Sequence, residues 1–147
     1  MIRPYTQADK TAVLQLLQAN TPAFFDPSEE ADFVHYLTNE LEDYFVIEQD
    51  HRLLGCGGIN YLIADKTARI SWDMLHPEVQ GKGWGAKLVQ HRLNHIKTKP
   101  EITTVVVRTS QLAYQFYQKC GFVLQEVTKD YWAKGFDLYQ MVLTADT

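Results

Sequence analysis

"HPEVQGKGWGAKLVQHRL", residues 76–93, decides how this chain is read. Gly81, Gly83 and Gly85 fall at alternate positions, Gln80 stands in front of them, Lys82 and Trp84 sit between them, and an amphipathic helix pattern follows. Glycine loses more backbone freedom on folding than any other residue, so three together at a helix start mark backbone that must bend or be closely approached. The first turn of a helix leaves N–H groups without partners, and the helix dipole adds partial positive charge there. A strand, a glycine-rich turn and a helix N-terminus thus form an anion site, and residues 80 to 85 are expected to cradle a pyrophosphate. A turn without any ligand is the plain alternative, since glycines commonly mark turns.

Two nucleotide patterns fail on spacing. In a P-loop the Lys would be followed by Ser or Thr, whereas Lys82 is followed by Gly83. The Rossmann pattern GxGxxG started at Gly81 meets its third glycine one residue early, and started at Gly83 it meets Leu88. The strand before the turn also reads as part of an antiparallel meander, not as the opening of a βαβ unit.

Working outward, "MIRPY" reads as a short strand and "QADKTAVLQLLQAN" as a helix with Ala12, Val13, Leu16 and Leu17 on one face. Pro22 and Pro27 break the chain, and Ser28 is expected to cap a second helix carrying Phe33, Val34, Leu37 and Leu41. "DYFVIEQ" and "RLLGCGGINYLI" flank "DH" as a hairpin, and "ARISWDMLH" follows the turn "ADKT". A helix is expected over about 85–97, with Ala86, Val89, Leu93 and Ile96 as its stripe. "ITTVVVRT" is a short β-branched run of the buried-strand type. "SQLAYQFYQKC" reads as a helix with Leu112, Ala113, Phe116 and Tyr117 inward, ended by Gly121. Two late strands flank "AKG". The order is β-α-α-β-β-β-α-β-α-β-β, an α/β fold with a mixed central sheet, in one domain spanning residues 1–147.

Composition narrows the function classes. At 147 residues the chain is long enough for one domain with a real core. A hydrophobic share of 46% and a charged share of 22% are those of an ordinary globular protein. No run of about eighteen apolar residues suggests a membrane span, and "MIRPYTQADK" lacks the apolar core of a signal peptide, so the cytoplasm is the expected location. A net charge of −4 argues against general nucleic-acid binding, which wants a basic face. Cys56 and Cys120 form no CxxC pair and read as free thiols.

"Gln80-Gly81-Lys82-Gly83-Trp84-Gly85" matches Q/R-x-x-G-x-G/A, a motif of the GCN5-related N-acetyltransferases (GNAT), and "MLHPEV" resembles the lead-in common there. "SQLAYQFYQKCGF", residues 110–122, resembles that superfamily's second signature, with Ala113, Phe116, Tyr117, Lys119, Gly121 and Phe122 matching. The two motifs are separated by one helix and one strand, as in that superfamily, and the element order agrees over the whole chain. The second motif usually begins with Asn; Ser110 stands there, a shorter side chain that can still donate or accept one hydrogen bond at that cofactor contact.

The resemblance implies a sheet splayed between the fourth and fifth strands, with acetyl-CoA in the gap as acyl donor and no metal. It implies that Gln80, Gly81, Lys82, Gly83, Trp84 and Gly85 form the pyrophosphate turn. The pantetheine arm would use backbone groups near Met74 and Leu75. A bulge in that strand would free the N–H of Asp73 or Met74 to polarise the thioester carbonyl. Tyr117 matches the family's usual general acid, which protonates the departing thiolate; an amphipathic core tyrosine is the alternative. Asp73 is a candidate base, acting through water, against pairing with a neighbour such as Arg69. Glu30, in the substrate-side helix region, is another carboxylate that could serve as the base. Trp84, bulkier than the residue usual there, is expected to pack under the helix start.

Other residues carry less. Cys120 falls at a helix C-terminus, where the dipole disfavours a thiolate, so a packed thiol is expected rather than a nucleophile. His91 and His95, four apart, lack the Glu of HExxH and a third ligand, and read as a solvated helix face. Tyr131 and Trp132 either flank the acceptor site or are ordinary strand aromatics. The expected activity is acetyl transfer to a primary amine of a small molecule. A protein or peptide N-terminal acetyltransferase and a non-catalytic acyl-CoA-binding module are the alternatives. The expected partners are the acceptor and, as a candidate, a second copy of the chain, with no nucleic acid and no membrane.

Overall fold

The computed structural model describes residues 1–144. Its elements follow the expected order: β1 (Ile2–Pro4), α1 (Lys10–Ala19), α2 (Glu29–Asn39), β2 (Asp43–Gln49), β3 (Arg52–Leu62), β4 (Thr67–Leu75), α3 (Trp84–Ile96), β5 (Thr104–Thr109), α4 (Tyr114–Lys119), β6 (Val123–Ala133) and β7 (Phe136–Thr144). One seven-stranded sheet runs β1-β2-β3-β4-β5-β7-β6. All its neighbours are antiparallel except β4 and β5. The β2–β3 hairpin turns on Asp50 and His51, both with positive φ, as a tight two-residue hairpin turn requires.

Helices cover both faces of the sheet, and side-chain alternation along the strands feeds two cores. On β2, Phe45 and Ile47 pack toward α3 and α4 with Ile59, Ile70, Leu88, Val105, Val107 and Phe122. Tyr44 and Val46 pack toward α1 and α2 with Val13, Leu17, Phe33, Leu37 and Met74. That is why "YFVI" is buried without a break.

β4 and β5 pair only over Thr67–Ile70 and Thr104–Val107, although β4 continues to Leu75 and β5 to Thr109. Beyond Ile70 the sheet opens into a V, the splay that the resemblance implies. Within the same half of β4 the register against β3 slips. Cys56 faces Met74 but Gly58 faces Ser71, so Trp72 and Asp73 together oppose Gly57. This is a β-bulge, and Trp72 takes a φ of 51°. The Trp72 ring packs 4.8 Å from that of Phe33, and Tyr44 Oη donates to the Trp72 carbonyl at 2.9 Å. Local packing thus holds the uncommon backbone conformation.

Several details depart from the sequence expectations. Ser28 is itself helical in conformation and makes no capping bond. Asp26 instead accepts from Ser28 N at 2.9 Å, and Glu29 accepts from Asp26 N at 2.8 Å. α4 starts at Tyr114 rather than near 110, because Ser110 Oγ and its carbonyl take the N–H groups of Leu112, Ala113 and Tyr114 in a local turn. Leu112 is consequently exposed rather than core. On α3 Ala86 is exposed, and the inward face holds Leu88 and Arg92 besides Val89 and Ile96.

Candidate active site

The bulge decides where Asp73 points. Plain alternation would put residues 69, 71 and 73 on one face of β4. The extra residue turns Asp73 to the α3 face, where Arg92 is fully buried. The pairing with Arg69 weighed from sequence is therefore replaced by one with Arg92. Arg92 Nη1 and Nη2 grip the two carboxylate oxygens of Asp73, the second at 2.7 Å, in a fork-to-fork ion pair. Arg92 Nη1 also donates to the Gly58 carbonyl at 3.1 Å, and Nε to the Leu88 carbonyl at 3.3 Å. Burial pulls the Arg92 pKa down, but the facing Asp73 charge outweighs it and holds the guanidinium above its ordinary value.

Tyr117 completes the cluster. It lies on α4, 5% exposed, and its hydroxyl donates to Asp73 Oδ2 at 2.5 Å. Burial first, and the Asp73 charge second, push the phenol pKa well above 10. Tyr117 is thus a protonated donor through the whole physiological range. Three elements, β4, α3 and α4, meet at one carboxylate. Gly57 makes room for it: a Cβ there would stand 2.8 Å from Arg92 Nη1 and from Asp73 Oδ1.

The glycine turn differs from position to position. Gly81 and Gly83 have φ of 80° and 87°, and a Cβ on either would meet nothing within 4 Å. They serve the backbone path and leave the α3 N-terminus open. Gly85 instead packs, because a Cβ there would come within 3.0 Å of the Phe116 ring. Trp84 packs against the core under the helix start, as expected, with Lys87 Nζ 4.7 Å above its ring. Gln80 reaches back to the sheet: its Nε2 donates to Asn20 Oδ1 at 3.3 Å, and Asn20 Nδ2 donates to the Leu75 carbonyl at 2.9 Å. Asn20, at the end of α1, is nearly fully buried.

A cavity of ≈740 Å³ runs through the splay and joins these features. Gln80, Gly81, Gly83 and Gly85 line one end, with Ser110 beside them, and Asp73, Met74, Leu75 and Tyr117 line the middle. Glu29, Tyr36, Arg69, Trp72, Arg108 and Trp132 line the other end. Lys82 and Trp84 do not line it. Glu30 lies outside, where its Oε1 accepts from Gln18 at 3.2 Å on the surface. Its neighbour Glu29 is the buried carboxyl, with its pKa raised by burial. Trp132 Nε1 donates to the Thr109 carbonyl at 3.1 Å, while Tyr131 accepts from Arg108 at 2.6 Å.

A cavity of this size, with open-backbone glycines at a helix N-terminus and a splayed strand beside them, fits a long thioester ending in a diphosphate. The acetyltransferase (GNAT) domain model matches residues 40–124, more than half of the chain and both motifs. The chain belongs to the GNAT family of acetyltransferases. Solved structures carry the same fold at low identity. The ribosomal-protein-S18-alanine N-acetyltransferase of Escherichia coli has a TM-score of 0.81 at 16% identity, covering 99% of this chain and 93% of that one. The spermidine N-acetyltransferase of Vibrio cholerae in complex with CoA and spermine has a TM-score of 0.75 at 18% identity, covering 99% and 95%. An aminoglycoside 6′-N-acetyltransferase complexed with coenzyme A has 0.79 at 15%, covering 99% and 97%. No curated protein sequence matches the chain significantly.

Arg92, Asn20 and Gly57 escaped the sequence reading of this GNAT domain. The run "GCGG" at 55–58 was the available signal, since glycines inside a strand mark a bulge or close approach. The remaining candidates have ordinary places. Cys56 is buried, its pKa pushed up by burial to about 12, and burial raises that of Cys120 as well. His95 Nε2 lies 3.1 Å from Asp43 Oδ2, and both His91 and His95 pack edge-on against Phe45. Among the described residues no group of three or more His, Cys, Asp or Glu could hold a metal, and no helix is long and apolar enough to cross a membrane.

Proposed function

We propose that this GNAT domain transfers acetyl from acetyl-CoA to a primary amine of a small molecule, with Asp73 and Tyr117 moving the proton. Acetyl-CoA supplies the acetyl thioester. The turn at Gln80–Gly85 would hold its pyrophosphate through backbone N–H groups, with Ser110 as a further contact, and Met74 and Leu75 would meet the pantetheine arm. The bulge at Trp72–Asp73 would present an N–H of Asp73 or Met74 to the thioester oxygen.

The single observation that carries the proton route is the 2.5 Å hydrogen bond from Tyr117 to Asp73 at the middle of the cavity. Asp73 accepts, directly or through a water, the proton that the amine sheds as its nitrogen bonds to the acetyl carbon. Tyr117 gives its hydroxyl proton to the sulfur as the C–S bond breaks and takes the proton from Asp73 in return. The amine proton ends on the thiol, and both side chains are restored. A free Tyr117 phenolate beside the Asp73 carboxylate is strongly disfavoured, so the return of the proton accompanies its donation. Arg92 touches no reacting atom and positions the carboxylate. Tyr117→Phe tests this by free-CoA release and acetyl-CoA calorimetry. Turnover is expected to fall about 10²-fold or more with donor affinity unchanged. Full activity of Tyr117→Phe across the pH range refutes the role.

A further inference from the structure

The acceptor end of the cavity holds two arginines that form no ion pair among the described residues. Of the five arginines, Arg3, Arg52 and Arg92 each have a carboxylate within salt-bridge distance. Arg69 and Arg108 have none among the described residues, and both line the cavity. Arg69 Nε is enclosed and has no hydrogen-bond partner among the described residues. A buried donor without a partner is uncommon and costly. The two guanidinium groups are also neighbours. Arg69 pairs in register with Val106, two residues before Arg108 on the adjacent parallel strand. Both side chains leave the sheet on the α1–α2 face, opposite to Ile70 and Val107. Arg108 is fixed by Tyr131 Oη at 2.6 Å and lies over the rings of Tyr131 and Trp132 at 5.0 and 5.7 Å.

The carboxylates at this end are otherwise engaged or peripheral. Glu29 accepts from the Asp26 backbone, and Glu42 accepts from Asn60 and from Tyr61 N. Asp73 holds Arg92, and Glu40 sits exposed at the rim. We infer that Arg69 and Arg108 bind a carboxylate on the acceptor, so that the substrate is an amine bearing an acidic group, an amino acid or a short peptide, rather than a polyamine. This rests on the acetyl-transfer reading of the same cavity. Arg69 lies four residues before Asp73, about 13 Å along a regular strand and less across the bulge. An extended peptide covers about 3.3–3.6 Å per residue. Arg69 and Asp73 leave opposite faces of β4, so the strand spacing sets only an upper scale for the span between amine and carboxylate, which an amino acid or a peptide of up to about four residues covers. A polycationic acceptor would leave Arg69 Nε without a partner, whereas a carboxylate would satisfy it.

The test is free-CoA release by the full chain with alanyl-glutamate, its fully amidated counterpart, L-glutamate and spermidine as acceptors. The carboxylate forms are expected to exceed the amides by about tenfold or more in kcat/KM. Arg69→Gln and Arg108→Gln should each bring that ratio to within about twofold while acetyl-CoA affinity is kept. Preference for the amide or for spermidine, or a ratio that survives both substitutions, overturns the inference. Calorimetric titration with glutarate in the absence of acetyl-CoA reads the same site without turnover. Binding to the wild type that both variants lose supports the inference, and absence of binding to the wild type overturns it. A chain that binds glutarate through these arginines but fails to bind acetyl-CoA would sink the donor reading while leaving the carboxylate-binding site itself standing.

Discussion

Replacing Arg92 by Met tests the cluster at its least accessible point. Methionine keeps the length and apolar character of the stem but removes all the donors. Asp73 then loses both ion-pair contacts, and the Gly58 carbonyl loses its 3.1 Å partner. Breaking a buried ion pair from one side costs about 3–5 kcal/mol, mostly because the other charge is left uncompensated. Asp73 retains 17% side-chain exposure toward the cavity, so water recovers part of this and the low end, about 3 kcal/mol, applies. For a domain of this size that is a fall in Tm of about 6–12 °C. Urea unfolding followed by tryptophan fluorescence measures it. The surface pair Arg52–Glu78, with side chains 54% and 68% exposed, gives the internal control: Arg52→Ala should change stability by no more than about 0.5 kcal/mol. A cycle with Asp73→Asn separates pairing from packing. The double variant should be more stable than the sum of the singles by about 2–3 kcal/mol. Loss of less than about 1 kcal/mol in Arg92→Met, or singles that add to the double within about 0.5 kcal/mol, would refute the argument that the pair is closed and coupled.

Gly57→Ala places a methyl group 2.8 Å from both partners of that pair. It should cost about 1–3 kcal/mol by overpacking and lower kcat more than it changes acetyl-CoA affinity; unchanged turnover would show that the pair tolerates displacement. Tyr117 and Tyr44 have phenols pushed well above 10, chiefly by burial, so the folded state keeps protons that the unfolded chain releases near pH 10. Their contribution is fully present below about pH 10 and is lost as pH rises beyond it, so urea stability should fall steeply there. A stability flat to pH 11, or native tyrosinate absorbance rising with an ordinary midpoint for every tyrosine, contradicts this. Cys56, with its thiol raised to about 12 and fully buried, should resist an aromatic disulfide reagent at pH 8 in the native state and react in denaturant. Prompt native reaction of both cysteines would contradict its burial.

What the sequence showed of this site, and what it hid, follows from how far apart the determining residues lie. The "DH" hairpin, the glycine turn and the two family motifs are local, and each element formed where its own residues asked for it. The splay was legible only through the family resemblance, because it depends on where β4 and β5 stop pairing. Arg92 was invisible because an arginine within "LVQHRLNHI" reads as one more polar residue on a solvated helix face. Its burial requires Gly57 on β3 to leave space and the β4 bulge to turn Asp73 toward it. The bulge was itself expected only as a source of a free N–H. Its larger effect is to exchange the faces of β4, sending Asp73 to Arg92 and Tyr117 and leaving Arg69 alone on the other side. The same slip therefore gathers Asp73 with Arg92 and Tyr117 and leaves Arg69 on the opposite face of the strand.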